Sequence, residues 1–445
     1  MRIAIVSDFH LGDPMATIAV RDEKSGQIRL GPMYNEFKIK INDKSGGQPL
    51  DYLVLMGDIL DFSIASYNEA YAIGQYFFQQ LKDDKIAHEI IYIPGNHDFD
   101  LWHTVEYQTN VTWKLQRGKL PVPFRMSVPG IIDERKKGNN SIKGFTLHNV
   151  TPRSEKNQPR YAGLFLDKIT KPDTYFNFVY PNLYLVTDEH TVLITHGHFL
   201  EMYWPFLGEW VLKIVSSDLQ LKVPGSLDLI EMVGINFPFN QLASSGLGQS
   251  GPLTPIVQEM MQDIKNKDLD QLKTYFDQLW CELKKIVKKG FPSLMLKFPP
   301  VKKWIKNKIF DSVNSMGSSR YDKQFLDHLE VRERFVEFYK STIAEINEIN
   351  RVYNTEIPAP TRMIFGHTHE SISWEAPDAP YIELKQLPKD KQPLRMYNTG
   401  GWLNGNDKNG NLNFGGAEIF YYETNKGISS VKVACTSTLT EKQAS

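Results

Sequence analysis

Leu53-Val54-Leu55-Met56-Gly57-Asp58-Ile59-Leu60-Asp61 is an apolar run of strand character that ends in a glycine and is followed at once by a carboxylate. In open α/β sheets, chemistry gathers at the carboxyl ends of strands, and Asp58 stands at such an end. One Gly-Asp after a strand is commonplace, and an aspartate capping a turn or helix is the ordinary explanation. Four further apolar runs alter that reading. Ile3–Val6 leads into Asp8-Phe9-His10, and Ile90–Ile93 into Pro94-Gly95-Asn96-His97-Asp98. Thr191–Ile194 leads into Thr195-His196-Gly197-His198, and Arg362–Phe365 into Gly366-His367-Thr368-His369.

Six of the eleven histidines therefore fall at strand ends, beside Asp8, Asp58, Asn96 and Asp61. Singly, each is a surface turn or a satisfied core pair. Together they form a mixed imidazole and oxygen donor set without thiolate. Such a set suits a first-row divalent ion (Mn, Fe, Co, Ni or Zn, with Mn favoured) and argues against a structural zinc site. The donors exceed what one ion needs. They fit two ions sharing one carboxylate, the roughly 3.5–4 Å clamp used for displacement at phosphorus.

Asp8-x-His10, Gly57-Asp58-x-x-Asp61, Gly95-Asn96-His97-Asp98, His196 and Gly366-His367-x-His369 together resemble the ordered signature of calcineurin-like metallophosphoesterases. The resemblance covers about residues 1–200 and 360–435. It implies that Asp8, His10 and His369 hold one ion, that Asn96, His196 and His367 hold the other, and that Asp58 bridges them. A water made acidic by the ions would be the nucleophile. His97 would stabilise a phosphate oxygen or protonate the leaving group. Asp61, Asp98 and His198 would orient ligands by hydrogen bonds, with His196 favoured over His198 as the ligand. Asn398-Thr399-Gly400-Gly401-Trp402 resembles the family's closing Asn-x-Gly-Ser-Trp turn, with Gly401 in place of the serine, and its backbone would pack near the site.

Within that superfamily, Asp61-Phe62 lacks the Arg-Gly of the serine/threonine protein phosphatases, and Asp98 stands where they carry Glu. The lipid A pathway pyrophosphohydrolases share the opening Asp-x-His and a helical insertion, but usually carry Arg at the place of His97. A double-strand-break nuclease would call for a broad basic surface, and the formal net charge is -1.

Composition is that of a soluble globular protein, 41% hydrophobic and 23% charged. At 445 residues the chain suits one enlarged domain or two. Cys281 and Cys435 are two isolated thiols, as expected in a reducing compartment. Without a signal-peptide core or a spanning run, the expected location is cytoplasmic, with peripheral membrane contact open.

The expected fold is α/β: a mixed β-sandwich core flanked by helices, the four-layer metallophosphoesterase-like arrangement. The catalytic domain is expected over residues 1–200 and 346–445, and a mostly helical insertion over 201–345. No internal repeat is visible. A hairpin is expected within Ile28–Ile41, and a helix over 65–82 with Ala70, Ile73, Phe77 and Leu81 on one face. Short strands and turns are expected from about 110 to 186, including 145–147 and 176–184. Later strands are expected at 393–398, 416–423 and 429–434.

In the insertion, a glycine-rich loop at 243–252 lacks the Lys-Ser/Thr of a P-loop. Helices are expected near 253–289 and 322–350, the second with Phe325, Leu329, Phe335, Phe338 and Ile343 on one face. Between Glu282 and Asp311 there is no acidic residue. Lys284, Lys285, Lys288, Lys289, Lys297, Lys302, Lys303, Lys306 and Lys308 alternate there with bulky apolar residues. Three readings stand: an anionic-membrane contact through 284–310, a helical cap with solvated lysines, or a funnel for a polyanionic phosphate-ester substrate. The leading expectation is hydrolysis of a phosphodiester, phosphomonoester or pyrophosphate, lipid-linked substrates included. The alternative is a catalytically silent scaffold of this fold that binds a membrane or protein. The oligomeric state stays open.

Overall fold

Arg2–Val6 forms β1, and its last four residues are buried. A continuous apolar run of that kind is what a strand covered on both faces requires. The computed structural model describes residues 1–22, 24–136, 140–150, 175–200, 228–245, 329–383, 393–406 and 412–434, with positions 274, 277, 280, 281, 302 and 303. It divides into two compact units. The first comprises Met1–His198, Ser244–Gly246 and Glu345–Ser445, the second Phe199–Ala243 and Leu247–Ala344.

In the first unit, after β1, come β2 (Ala19–Arg21), β3 (Ile28–Leu30), α1 (Tyr34–Ser45), β4 (Leu50–Leu55), α2 (Tyr67–Asp83) and β5 (Ala87–Tyr92). Next are α3 (Asp100–Tyr107), a π-helical turn (Gln108–Thr112), α4 (Trp113–Gln116), β6 (Gly130–Asp133), β7 (Gly144–Leu147), β8 (Tyr175–Phe178), β9 (Asn182–Val186) and β10 (Thr191–Thr195). α5 (Leu229–Ser244) and α6 (Leu329–Tyr353) follow. The chain then forms β11 (Arg362–Phe365), β12 (Ser371–Ile372), β13 (Tyr381–Ile382), β14 (Leu394–Thr399), β15 (Asn404–Asn406), β16 (Leu412–Phe414), β17 (Ala417–Glu423) and β18 (Gly427–Val433).

Two large mixed sheets result. One runs β18-β17-β1-β4-β5-β8, the other β12-β14-β11-β10-β9-β6-β7, with β13 beside β14. In the first, β1, β4, β5 and β8 are parallel and β17 and β18 antiparallel. In the second, β10, β11 and β14 are parallel. Side chains of the two sheets meet at Tyr52–Phe145 and Tyr397–Phe420, with ring centroids 5.7 and 6.4 Å apart. The mixed α/β class is as the sequence implies. The parallel runs matter for function, because they bring the ends of β1, β4 and β5 together, and likewise those of β10 and β11.

α2 follows its sequence pattern. Ser66 accepts a hydrogen bond from the Glu69 N–H and caps it, and Ala70, Ile73, Phe77 and Leu81 are all buried. The hairpin expected within Ile28–Ile41 does not form. Ile28–Leu30 pairs instead with Ala19–Arg21, and residues 34–45 are helical. Lys38-Ile39-Lys40-Ile41 alternates like a strand, but Tyr34, Phe37 and Ile41 share a buried helical face while Ile39 is 49% exposed. Gly46, at φ 66°, ends that helix in the left-handed region.

Two further corrections fall between 110 and 186. Residues 110–116 are helical rather than strands and turns, the end of a helical run that begins at Asp100. Gln108-Thr109-Asn110-Val111-Thr112 is poor helix-forming material, and it is there that the helix widens to a π turn. The single strand expected over 176–184 is two, in different sheets, broken at Val179–Pro181.

Within the second unit, α5 opens with a capping box. The Asp228 N–H donates to Glu231 and the Glu231 N–H donates back to Asp228, at 2.8 and 2.9 Å. On α6, Phe335 and Phe338 are buried as expected, and Phe338 stacks on Phe199 at 6.0 Å, whereas Ile343 is only half-buried. Phe325 lies outside the described residues, as does most of 243–252, 253–289 and 284–310. Lys302 and Lys303 are described, and Lys302 pairs with Asp277 at 2.9 Å. Among the described residues no helix is long and apolar enough to cross a membrane.

Phe37 packs edge-on to Phe9 and Trp402, each 5.8 Å away. Phe37→Ala should therefore cost about 3–5 kcal/mol in urea unfolding, and Ile39→Ala less than about 0.5 kcal/mol. Were residues 37–41 a strand, 37 and 39 would share a face and the two costs would be similar.

Candidate metal centre

The loops that leave β1, β4, β5, β10 and β11 meet at one place in the first unit. Asp8 and His10 follow β1, Asp58 follows β4, and Asn96 and His97 follow β5. His196 follows β10, and His367 and His369 follow β11. Backbone hydrogen bonds stitch these loops together. The Asp8 N–H donates to Gly57 at 3.0 Å, the His10 N–H to Asp58 at 2.9 Å, and the Gly366 N–H to His196 at 3.0 Å.

Asp8, His10, Asp58, His367 and His369 all have positive φ, between 47° and 68°. Non-glycine residues adopt that region rarely and at a cost. Such strain persists where the surroundings over-determine it, and it clusters at functional sites. Each left-handed residue lets the chain turn sharply off its strand and aim a side chain back at its neighbours.

Three donor groups converge closely enough to hold an ion: Asp8 with His10 and His369, Asp58 with His196 and His367, and His10 with Asp61 and His97. In the first, His369 Nε2 lies 3.3 Å from Asp8 Oδ1 and 3.1 Å from His10 Nε2. In the second, His196 Nε2 lies 3.1 Å from Asp58 Oδ2 and 3.3 Å from Asn96 Oδ1. Asp58 Oδ2 is also 3.9 Å from His10 Nε2, so this carboxylate stands between the first two groups.

The surroundings fix which ring nitrogens face inward. His196 Nδ1 lies 2.9 Å from the Met56 carbonyl, which can only accept. Nδ1 thus carries a proton, and Nε2 is the atom that faces Asp58 and Asn96 and that can ligate an ion once it is deprotonated. His10 Nδ1 donates to Asp61 Oδ2 at 2.9 Å in the same way. Acceptor atoms facing one another across a buried space are a donor set for a cation, and imidazole with carboxylate suits a divalent one. The residues fit the ions that the sequence implies.

Around these groups sit the positioning contacts. Asp98 accepts from the N–H of Ile59 at 2.8 Å, that of Gly95 at 2.6 Å and the Tyr92 hydroxyl at 2.5 Å. His97 gives its N–H to Asp58 Oδ1 at 2.8 Å. Its Nδ1 lies 3.1 Å from Asp61 Oδ2 and 2.6 Å from Ser63 Oγ. His198 lies 3.4 Å from the Tyr180 hydroxyl, with its ring 5.5 Å from that of His196. In the turn at 398–402, Asn398 Nδ2 donates to Gly366 O at 2.9 Å, and the Trp402 N–H donates to Asp8 O at 3.0 Å. A Cβ on Gly401 would come within 2.8 Å of the His369 ring. Ser7, Ser63, Tyr92 and the Met56 carbonyl have no motif that would have picked them out. Ser7 binds the Asp8 carboxylate and the Thr399 hydroxyl.

A scan against family models matches residues 1–220 to the model described as calcineurin-like phosphoesterase. Residues 1–220 thus match the calcineurin-like phosphoesterase family, as the strand-end motifs imply. No curated protein matches the chain. A domain of that family implies a hydrolase that works with divalent ions. Gly366–His369 lies beyond the matched range, yet the fold carries its histidines to Asp8 and Asp58.

Burial by itself would lower the His196 imidazole, but the Asp58 carboxylate outweighs it and holds the ring up at about 9. Burial likewise opposes, and Asp61 and Asp8 overcome it to raise, His10. Burial would raise Asp58; His196 and His97 instead hold it well below the carboxylate range. For Asp98 burial prevails, joined by the charge of Asp58, and the acid is pushed up to about 6.

Two measurements follow. Without ions, His196 adds stability that is full below its ordinary 6.5 and disappears as pH rises through about 9. In chelator, the melting temperature should fall between pH 7 and 9.5; with saturating Mn²⁺ or Zn²⁺ that fall should be much smaller, because ligation requires the deprotonated ring. A Cβ on Gly57 would sit 2.5 Å from His196, at φ 84°, whereas one on Gly46, at φ 66°, meets nothing within 4 Å. Gly46→Ala should cost about 1 kcal/mol. Gly57→Ala should cost more and also weaken ion binding, read by calorimetric titration.

Proposed function

We propose that the chain is a dinuclear, divalent-ion-dependent phosphoester hydrolase. The observation that carries the reading is Asp58, whose Oδ2 lies between the His10 group and the His196 group. On this reading Asp8, His10 and His369 hold one ion, Asn96, His196 and His367 the other, and Asp58 is shared. The ions would acidify water toward neutral pKa and neutralise charge on the phosphoryl oxygens.

The remaining work falls to side chains. Asp61 receives Nδ1 of both His10 and His97 and so fixes two rings at once. Burial opposes protonation of His97, but Asp61 and then Asp58 raise it, which favours the imidazolium. With Nδ1 engaged, Nε2 is the atom left to meet a phosphoryl oxygen or to give a proton to the leaving group, help worth on the order of 10²–10⁴-fold.

We further propose the four-layer arrangement of this family for the catalytic domain and a mostly helical insertion for 201–345. The substrate would be a phosphodiester, phosphomonoester or pyrophosphate. A lipid-linked phosphate is the leading candidate, on the strength of the lysine-rich apolar stretch 284–310 and a cytoplasmic location with peripheral membrane contact. Protein phosphatase activity is disfavoured by Asp61-Phe62 and Asp98.

Aryl phosphodiesters and phosphomonoesters with Mn²⁺ give the test. Turnover is expected and should disappear with chelator. Asp58→Asn should lower kcat at least about 10²-fold and reduce bound ion per chain. His97→Ala should lower kcat by roughly 10²–10⁴-fold with ion content unchanged. Absence of turnover on mono-, di- and pyrophosphate esters, with two ions bound, would sink the hydrolase in favour of the silent scaffold.

A further inference from the structure

The helical run that begins at Asp100, directly behind the Asn96–Asp98 loop, ends in a protrusion. Residues 115–124, Leu-Gln-Arg-Gly-Lys-Leu-Pro-Val-Pro-Phe, are ten consecutive exposed residues. Leu115 is 56% exposed, Leu120 85%, Val122 41% and Phe124 37%, with Tyr107 beside them at 50%. No other described part of the chain exposes so many large apolar side chains in so short a stretch. Isolated exposed apolar residues are normal on a soluble surface, but a contiguous set marks an interaction site.

The segment is held in shape. Buried Glu106 accepts from the Asn110 amide at 2.5 Å and from the Arg125 N–H at 2.7 Å. The Val122 N–H donates to the Asn110 carbonyl at 3.1 Å, and the Lys119 N–H to that of Lys114 at 2.9 Å. Arg117 lies over the Trp113 ring, 3.9 Å from its centre, with Lys114 at 5.6 Å. Pro121 and Pro123 restrict the tip on either side of Val122. Phe124 returns to 5.8 Å from His103, one turn from the start of α3. The apolar tips are thus presented by a pinned, convex loop and not by a frayed end.

Its charge is one-sided. From Tyr107 to Ile132 there is no acidic residue, while Lys114, Arg117, Lys119 and Arg125 are all basic. Apolar tips ringed by Lys and Arg are what the boundary of an anionic bilayer accommodates. The tips enter the acyl edge, and the cations remain at the headgroups with their stems along the apolar surface. Arg125 is paired with buried Glu106 at 3.3 Å, and a second copy of this chain would bring the other three cations, Lys114, Arg117 and Lys119, against themselves and repel. We propose that residues 113–125 are a membrane-docking loop for an anionic lipid surface. It is a different segment from the lysine-rich 284–310, and it does not depend on the hydrolytic reading. Because α3 starts beside Asp98, docking would hold the candidate centre next to the bilayer.

Full-length protein should co-sediment with vesicles of phosphatidylcholine and phosphatidylglycerol (3:1) at 150 mM salt, and at least tenfold less with phosphatidylcholine alone. The triple variant Leu120→Ser, Val122→Ser, Phe124→Ser should bind the anionic vesicles on the order of tenfold or more weakly. The variant Lys114→Gln, Arg117→Gln, Lys119→Gln should do the same. Both should keep the wild-type melting temperature and wild-type rates on a water-soluble aryl phosphoester, if those rates exist. As a local readout, Leu120→Cys, in a chain with Cys281 and Cys435 replaced by serine, is labelled with an environment-sensitive dye. Its emission should shift to the blue on anionic vesicles. Vesicle binding unaltered in both triple variants, no binding by the wild type, or no shift at position 120 would overturn the proposal. So would a vesicle-free dimer that the apolar variant dissolves, which would assign the loop to a second copy.

Discussion

Everything at the candidate centre leans on the carboxylate of Asp98. It receives the backbone N–H groups of Ile59 and Gly95 and the hydroxyl of Tyr92, and so ties the loop after β4 to the loop after β5. Those loops carry Asp58, Asn96 and His97. The arrangement is held against an electrostatic cost, because burial and the neighbouring charge of Asp58 both resist ionisation of Asp98. Convergent donors are what make a buried carboxylate tolerable. A glycine at 95 is part of the same constraint, since a Cβ there would collide with Asp58 Oδ1. Gly366 repeats the logic across the site, where a Cβ would meet Ser7 and Asp8.

Much of this was legible in residue order, because each chemical group directly follows an apolar strand. The five strand ends, the donors on them and the mixed α/β class can all be read from that pattern. The backbone conformation was not. Nothing in Asp8-Phe9-His10 announces two left-handed residues, because positive φ at aspartate or histidine is imposed by tertiary contacts, here the ladder of N–H groups from Asp8 to Leu11 onto Gly57, Asp58 and Ile59. The orienting groups were only half visible. Asp61 and Asp98 lie in motifs, while Ser63, Tyr92 and the Met56 carbonyl act through proximity that no spacing encodes.

The errors have one physical origin, the weakness of local pattern where tertiary packing decides. Lys38-Ile39-Lys40-Ile41 alternates with period two, yet the aromatic pair Phe9 and Trp402 takes Phe37 and turns the segment into a helix. Residues 108–112 have low helix propensity and are helical nonetheless, continuing a run anchored by buried Trp102 and Val105. That unexpected helix carries the most exposed apolar loop among the described residues, which strand-and-turn reading would have left as an ordinary connection.

The pairing of His369 with His10 joins residues 359 positions apart in the chain, and Asp8 lies two residues further away. Ribosomes extend a chain by about 5–20 residues each second, so the N-terminal acid waits roughly 20–70 s for its partner to be made. During that interval the nascent chain holds Asp8, His10 and Asp58 without the histidines that complete their sets. Completion of the Asp8 and Asp58 donor groups is thereby deferred until residue 369 has been made. A truncated product that ends between residues 197 and 366 carries every donor from Asp8 to His196 but completes neither the Asp8 group nor the Asp58 group.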